Sequence, residues 1–365
     1  MSTISAAPQF QSQRVDQFDL SPFQRTYNPK SATILNRISG FISDSFNPVS
    51  SYFLTNAPPI KIGGFNPTIK RNLGEVFAFG DIHGELRGFF ENLLNADLID
   101  EYSNWKGGSK VLVQLGDVID RGFFSETAWL FLAKLQRQAE ESSGEVIRLI
   151  GNHELMVLEG HYGYAAQVIL NPEAFGQKMK QDILDKKVQL AYTDGKRLFL
   201  HAGLRTEVRN LLVQEIMSEK KCEALEVYVE DIVSYLNQLL IEAVSKDDFS
   251  HPIFYVGHSR GGEHTIGGVL WEDLSELANS KQALDIPQVV GHNPPRYTFE
   301  PPIRITDSQR LIEVDAGLNP VYGGNQAYVV FEKSDIRVRV KDQDEGWFEQ
   351  VAHDVFKNSR AYSKI

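Results

Sequence analysis

Three short apolar runs in the chain each end in a glycine-containing turn that carries polar side chains. The runs and their turns are 76–79 before 80–84 (GDIHG), 111–115 before 116–122 (GDVIDRG), and 146–150 before 151–154 (GNHE). Each run has the length and the apolar character of a buried strand, and helix-type spacing follows the first two turns. Successive units of strand, polar turn and helix predict an α/β fold with its site at the carboxyl ends of the strands.

Two further histidines occupy comparable positions later in the chain. The runs 188–193 and 196–200 flank Asp194-Gly195, and an Asp-Gly pair between alternating runs is a strong signal for a hairpin. The second of these runs leads into 201–204 (HAGL), and the run 287–290 leads into Gly291 and His292. We therefore expect His201 and His292 at the same rim as the earlier turns.

Less regular sequence surrounds these units. Residues 1 to about 70 are polar and rich in proline, so we expect an N-terminal extension that wraps the domain and is partly disordered at its start. Within that extension, apolar spacing predicts a short helix over 34–46. We expect a catalytic domain over 71–341 with a helical insertion at about 207–247. Late strands at 310–315, 327–331 and 336–340 are expected to form part of a second, mixed sheet. The remaining residues, 342–365, are expected to be a helical tail whose helix lies at 347–356.

The turns are expected to bring together a set of oxygen and nitrogen ligands. These are Asp81, His83, Asp117, Asn152, His201 and His292. Six such ligands are too many for one four-coordinate structural zinc and suit two metals that share a carboxylate. Asp117 is the natural bridge, with Asp81 and His83 on one metal and the other three on the second. The set suits Mn²⁺, Fe²⁺ or Zn²⁺ better than Ca²⁺, and two such cations can hold a bridging hydroxide and phosphate oxygens, which predicts phosphoester hydrolysis.

Charge and cysteine content narrow the class of protein. A net charge of −11 without a basic block argues against a general nucleic-acid or acidic-membrane binder. The single cysteine, Cys222, rules out an intramolecular disulfide, so the fold needs no oxidising compartment. No run approaches about 18 consecutive apolar residues, and residues 1–30 lack the basic-then-apolar order of a secretory signal. We therefore expect a soluble, cytoplasmic protein without a membrane span.

Together, the motifs resemble those of the calcineurin-like metallophosphoesterases, and within them the phosphoprotein phosphatase (PPP) branch. That branch shows GDxHG, GDxVDRG and GNHE, followed by two separate late histidines. The matching stretches here are GDIHG (80–84), GDVIDRG (116–122), GNHE (151–154), HAGL (201–204) and GHN (291–293). The resemblance covers about 75–340 and implies an αββα sandwich of two mixed sheets with a helical insertion.

The resemblance also implies roles for individual residues. The six ligand candidates match the metal ligands of the family. His153 matches the general acid that protonates the leaving alkoxide, Asp120 the carboxylate that orients it, and Arg121 an arginine that clamps phosphate. Two divalent metal ions are implied, with Mn²⁺ expected in vitro and Fe or Zn as alternatives.

Besides Ile119 in the usual valine position of GDxVDRG, the sequence departs from that branch in two places. In members of that branch, a second phosphate-binding arginine usually lies a few residues after a tryptophan. Here Trp271 is followed by Glu272 and Asp273, and the nearest arginine is Arg260. We take Arg260 as the candidate. The loop that reads SAPNYC in eukaryotic members is replaced by 314–318 (VDAGL), closer to bacterial and dinucleotide-hydrolase members. With the extra helices, this resembles the Wip-type bacterial effector phosphatases and would imply a virulence role and translocation into a host cell without a signal peptide.

Several functions stay open at this point. A serine/threonine phosphoprotein phosphatase with a phosphorylated protein as its partner leads, because the DRG turn is intact and the helical insertion is long. A tyrosine phosphatase on the same scaffold, a dinucleoside polyphosphate hydrolase and a binding module that lost turnover are the alternatives. Each motif alone also has a structural interpretation, since Asp117 or Asp120 could cap a helix and His201 could be a core histidine. Their joint occurrence in five places favours the catalytic interpretation.

Overall fold

The computed structural model describes residues 60–68, 74–280, 285–296, 300–306, 308–332, 335–342 and 346–351. All of them belong to one compact unit, Val49–Ile365. The helix expected over 34–46 and most of the expected N-terminal extension lie outside the described residues. The part of the extension that is described contacts the helical insertion, where the Gly63 N–H donates to the Val227 carbonyl at 2.9 Å and the Val229 N–H donates to the Gly64 carbonyl at 2.8 Å.

A six-stranded sheet of mixed direction forms the first layer. In spatial order its strands are β11 (Gly346–Val351), β10 (Asp335–Asp342), β9 (Ala327–Glu332), β1 (Val76–Phe79), β2 (Val111–Gln114) and β3 (Glu145–Arg148). β1, β2 and β3 run parallel to one another, whereas β9, β10 and β11 pair antiparallel. Every residue of β1 and β2 is buried, as expected for parallel strands covered on both faces.

A five-stranded sheet forms the second layer. In spatial order its strands are β4 (Ala191–Thr193), β5 (Leu198–Leu200), β6 (Gln288–Val290), β8 (Leu311–Glu313) and β7 (Arg304–Ile305). β5, β6 and β8 are parallel, and β4 pairs antiparallel with β5 across the turn at Asp194-Gly195. The hairpin prediction is confirmed, because Gly195 takes the positive φ of 82° that this tight turn needs.

Helices cover the outer faces of both sheets. Within the described residues the α-helices are α1 (Leu86–Asn95), α2 (Ser125–Glu141), α3 (Asn152–Leu158), α4 (Pro172–Leu184), α5 (Thr206–Lys220), α6 (Val229–Lys246) and α7 (Leu274–Asn279). α5 and α6 fall in the segment expected as a helical insertion. In the part of the chain that the structure describes, no helix combines the length and apolar character needed to cross a membrane.

Alternation along β1 shows how the layers are stacked. Phe77 and Phe79 face the helices, and Phe79 meets Phe89 of α1 edge-on at 5.7 Å between ring centroids. Val76 and Ala78 point the other way, into a core shared with strands of the second sheet. Since α7 packs on the far face of that second sheet through Leu277, the order of layers is helix, sheet, sheet, helix. The α/β sandwich of two mixed sheets is therefore confirmed.

The prediction that all three late strands belong to the second sheet is wrong for two of them. β8 lies in the second sheet as expected, but β9 and β10 extend the first, since β9 pairs with β1 in the register Val76 to Phe331. β9 fits there because its two faces match those of β1. Tyr328 and Val330 face the helices, whereas Val329 and Phe331 face the second sheet.

The prediction of a helix in the tail is also wrong for the tail residues that the structure describes. Residues 346–351 form β11, which pairs antiparallel with β10. Gly346 has a φ of 84° and follows a strand of eight residues, so the chain reverses and adds to the open edge of the sheet. Residues 352–356 of the expected helix lie outside the described residues.

Candidate metal centre

The turns after the parallel strands use backbone conformations that are uncommon for residues with a Cβ atom. The residues with a positive φ in these turns are His83 (47°), Asp117 (50°), Asp120 (71°), Arg121 (65°) and His292 (73°). Left-handed conformations of this kind concentrate at functional sites, because the surrounding structure must hold them. All five are residues that the sequence analysis names as site residues.

Two of the turns touch through their glycines. A Cβ atom on Gly84 would lie 2.4 Å from the carbonyl oxygen of Gly122, and one on Gly122 would lie 2.5 Å from the carbonyl oxygen of His83. No other residue fits at either position, so the glycines of GDIHG and GDVIDRG are required for the two turns to meet. The close approach places His83 beside Asp117.

The first group of ligand candidates is formed by Asp81, His83 and Asp117. The Nε2 atom of His83 lies 3.8 Å from Oδ2 of Asp81 and 3.6 Å from Oδ2 of Asp117. The Nδ1–H of His83 donates to the Ile119 carbonyl at 2.9 Å, which leaves the Nε2 lone pair free. All three side chains are buried, and the oxygen and nitrogen atoms that face one another are of the types that divalent transition metals bind.

The second group is formed by Asp117, Asn152, His201 and His292. The Nε2 atom of His201 lies 2.9 Å from Oδ1 of Asn152, 3.1 Å from Nδ1 of His292 and 3.6 Å from Oδ1 of Asp117. The Nδ1–H of His201 donates to the Leu115 carbonyl at 2.8 Å, so its Nε2 also carries a free lone pair.

Asp117 belongs to both groups. Its Oδ2 faces His83 and its Oδ1 faces His201, each at 3.6 Å from the histidine Nε2. A carboxylate that offers one oxygen to each of two ligand groups is the arrangement expected of a bridging ligand. The structure thus brings together all six residues that the sequence analysis named.

The electrostatics of both groups fit divalent cations. Burial raises the pKa of Asp81 well above its ordinary value, with repulsion from Asp315 and Asp117 adding to the effect, and burial raises the pKa of Asp117 to about 6. Burial lowers the pKa of His83 and of His292 well below the ordinary value, and that of His201 to about 4. Neutral imidazoles beside buried carboxylates that repel one another form a donor set that a cation would stabilise.

His153 and Asp120 form a separate buried pair next to the first group. Nδ1 of His153 lies 2.5 Å from Oδ2 of Asp120, and the His153 and His83 rings are 4.9 Å apart. Burial alone would lower the pKa of His153, but the carboxylates of Asp117 and Asp120 raise it above the ordinary value. These two carboxylates therefore favour the protonated form of His153, which also lies close enough to His83 and Asp117 for the three to form a group that could hold a metal ion.

Arg121 lies between two tyrosines that the sequence analysis did not identify. Its Nε–H donates to the Tyr322 hydroxyl at 3.1 Å, and its guanidinium stacks over the Tyr164 ring at 4.3 Å from the centroid. The Tyr322 ring is 5.4 Å from that of His83. The two tyrosines hold the guanidinium near the ligand groups.

Arg260 reaches the site from the His292 side. Its Nη2 donates to Oδ1 of Asn293, the neighbour of His292, and lies 3.3 Å from Oδ2 of Asp273. The positive charge of Arg260 is among the causes that lower the pKa of His292 and of His201. Arg260 is therefore within electrostatic range of the second ligand group.

Glu154 is a site residue that the sequence analysis missed. Its Oε2 accepts from the backbone N–H of Asp117 at 2.9 Å and of Gly151 at 2.7 Å, and its Oε1 accepts from those of Val118 at 2.9 Å and Ile119 at 3.2 Å. One carboxylate thus fixes the turn that carries Asp117. The signal was present, because a glutamate at the third position of a helix often accepts from the backbone N–H of the residue that precedes the helix, here Gly151.

A model of the calcineurin-like phosphoesterase family matches residues 75–304. This range contains all ten residues proposed for the site, and it ends before β8.

Two curated relatives and one solved structure show how far the similarity extends. Shewanella-like protein phosphatase 2 of Arabidopsis thaliana is 40% identical over 110 residues, which is 28% of this chain and 28% of that protein. Shewanella-like protein phosphatase 1 of Plasmodium berghei is 28% identical over 236 residues, 53% of this chain and 63% of that protein. The chain thus matches less than two thirds of the length of either relative. The cold-active protein-tyrosine phosphatase of a Shewanella species shares the fold, with a TM-score of 0.55 and 18% identity over 82% of this chain and 84% of that one.

Proposed function

This chain belongs to the calcineurin-like phosphoesterase family, and we propose that it is a phosphoprotein phosphatase that works with two divalent metal ions. The observation that carries the proposal is the position of Asp117, whose two oxygens face two different ligand groups at 3.6 Å. Similarity to the Shewanella-like protein phosphatases supports a phosphorylated protein as the substrate.

We propose that Asp81, His83 and Asp117 hold one metal ion and that Asp117, Asn152, His201 and His292 hold the other. Bound divalent ions would activate a water molecule and neutralise the charge of the phosphate. Mn²⁺ is the expected ion in vitro, with Fe or Zn as alternatives, because the donor set mixes imidazoles with hard oxygen atoms.

The protein's own residues would handle the proton and the phosphate. His153, protonated and held at its Nδ1 by Asp120, would give the proton on Nε2 to the leaving oxygen as the P–O bond breaks, so that the alcohol leaves neutral. Arg121 would hold two phosphate oxygens with its terminal nitrogens. Arg260 would contribute a second positive charge from the His292 side.

Serine and threonine phosphates remain the leading substrates of the proposal. A second candidate is phosphotyrosine, which the aromatic rings of Tyr164 and Tyr322 beside Arg121 favour, because an aromatic leaving group could pack against them. The effector role suggested by the resemblance to Wip-type phosphatases stays a prediction from the sequence.

The test is hydrolysis of matched phosphoserine, phosphothreonine and phosphotyrosine peptides beside diadenosine tetraphosphate, with Mn²⁺-loaded protein and a chelator control. Chelator-sensitive release of phosphate from the peptides is the expected result, and the peptide preferred identifies the alcohol. Cleavage of the nucleotide alone would place the chain among polyphosphate hydrolases. If none of the four substrates is turned over, a binding module becomes the better account.

A further inference from the structure

Tyr322 contacts the proposed site from a loop outside the matching motifs. It lies between β8 and β9, in residues 314–326, which we call the return loop. The match to the family model ends at residue 304 and gives this loop no role. The hydroxyl of the half-buried Tyr322 accepts from the Arg121 Nε–H at 3.1 Å, and its ring centroid lies 5.4 Å from that of His83. One side chain therefore joins the proposed phosphate ligand to a proposed metal ligand.

The return loop is fixed to the turn that carries His83. Asn319 is buried, its Nδ2–H donates to the His83 carbonyl at 2.8 Å, and its Oδ1 accepts from the Val321 N–H at 3.0 Å. The Tyr322 N–H donates to the Asn319 carbonyl at 2.8 Å. Gly317 has a φ of 70°, and a Cβ atom there would lie 2.6 Å from the Tyr322 carbonyl oxygen. The backbone of Tyr322 is thus held in place before any ligand binds.

Arg121 needs such a fixed partner to bind phosphate in one orientation. A long arginine side chain loses conformational entropy when it binds an anion, unless other contacts have already restricted it. The Tyr164 ring restricts the guanidinium from one face, at 4.3 Å from the ring centroid. The Tyr322 hydroxyl adds a directional contact at Nε, which restricts rotation of the whole guanidinium group.

We propose that Tyr322 is a positioning residue, whose hydroxyl orients the Arg121 guanidinium for two phosphate oxygens. The proposal rests on the proposed function, in which Arg121 is a phosphate ligand. Binding through two parallel hydrogen bonds requires the planar guanidinium to face the phosphate edge-on. Orientation before binding lowers the entropic cost of that arrangement, so the effect of Tyr322 on phosphate passes through Arg121.

A double-mutant cycle tests the proposal. The Kd of inorganic phosphate is measured by isothermal titration calorimetry for the Mn²⁺-loaded parent, Tyr322→Phe, Arg121→Ala and the double variant. Phenylalanine keeps the ring beside His83 and removes only the hydroxyl. Tyr322→Phe should weaken phosphate binding by roughly fivefold to tenfold, as expected for loss of a hydrogen bond to a charged group. The double variant should bind phosphate as Arg121→Ala does, because the hydroxyl has no effect without the guanidinium.

Two controls accompany the cycle. Tyr328→Phe also removes a hydroxyl that makes a hydrogen bond, to Asn95 Oδ1 at 2.7 Å, but its ring faces the helices, so phosphate should bind as in the parent. Metal content per chain should be the same in Tyr322→Phe and in the parent. A loss of metal in Tyr322→Phe would show that Tyr322 acts through the ligand groups and would overturn the proposal.

The remaining outcomes separate this proposal from the proposed function. An unchanged Kd in Tyr322→Phe beside a weakened one in Arg121→Ala would overturn the positioning role alone. A double variant that loses the sum of both single effects would also overturn it, because the hydroxyl would then bind phosphate directly. A metal-loaded parent that neither binds phosphate nor hydrolyses phosphopeptides would overturn the proposed function itself.

Discussion

The Nδ1 atom of His153 lies 2.5 Å from Oδ2 of Asp120, in a buried pair that stands beside the ligand groups. The carboxylates of Asp117 and Asp120 raise the pKa of His153 in spite of burial. An imidazolium fixed through Nδ1 can direct its Nε2–H at a leaving group. We therefore propose that the pair gives the site an acid that is distinct from the residues proposed to hold metal.

His153→Asn should leave metal binding intact and reduce turnover by roughly 10²–10⁴-fold, the usual contribution of general acid catalysis. The loss should be greatest for substrates with an alkyl leaving group and smallest for para-nitrophenyl phosphate, because nitrophenolate leaves without a proton. Rates with both leaving groups and metal content per chain are the measurements. An equal loss for both leaving groups, or a loss of metal, would contradict the assignment.

Arg260→Ala should weaken inhibition by free phosphate by roughly tenfold, because it removes one charge from the phosphate side of the site. Arg296→Ala is the matched control, since Arg296 also lies near Asp273, at 3.8 Å, but is largely exposed. The measurement is the inhibition constant of free phosphate for the parent, Arg260→Ala and Arg296→Ala. An unchanged constant in Arg260→Ala would remove this arginine from the site.

Glu154→Gln should lower the free energy of unfolding by about 2–4 kcal/mol, because an amide nitrogen cannot accept from two of the four backbone N–H groups that Glu154 now binds. Urea unfolding with and without Mn²⁺ measures the change. Glu140→Gln, on the exposed surface of α2, is the control and should match the parent. A Glu154→Gln variant as stable as the parent would show that the carboxylate does not hold the turn.

Much of the site could be predicted because its residues are local in sequence. Asp81, His83 and Asp117 directly follow apolar strands, and the pleat and the parallel direction of those strands dictate that the turns meet at one edge. The glycines of the same motifs indicate backbone conformations and close contacts that no other residue could adopt. The fold class followed from the same repeated units.

The parts that could not be predicted depend on contacts between distant segments. β9 is joined to β1 across some 250 positions, and nothing local distinguishes a strand that completes one sheet from a strand that completes the other. The tail formed β11 because an open edge was available to it, which no helical periodicity could reveal. Tyr322 stands beside Arg121 only because the loop before β9 returns to the site.

Glu272 should make the free energy of unfolding fall as the pH rises. Burial raises its pKa to about 8 in the folded protein, since the nearby Arg205, at 3.7 Å, is shared with Glu207 and Glu276. The folded state keeps a proton that the unfolded chain releases above its ordinary pKa of 4.5, so stability declines between about pH 4.5 and pH 8.

Glu272→Gln removes that titration. The difference in unfolding free energy between Glu272→Gln and the parent should grow in favour of the variant, by up to about 1.4 kcal/mol per pH unit across this window. Denaturant unfolding at pH 5, 6, 7 and 8 measures it, with the exposed Glu141→Gln as control. Parallel pH profiles for Glu272→Gln and the parent would show that Glu272 keeps the same protonation state in both forms of the chain.

The two-metal account is tested most directly by counting metal ions in the parent and in Asp117→Asn. Both proteins are stripped with a chelator, reloaded with Mn²⁺, freed of excess ion and analysed for metal per chain, with Asp194→Asn at the distant hairpin as control. We expect about two ions per chain in the parent and in the control, and fewer than one in Asp117→Asn together with loss of phosphatase activity. A parent that holds a single ion, or an Asp117→Asn variant that retains two ions and its activity, would contradict the bridging role of Asp117.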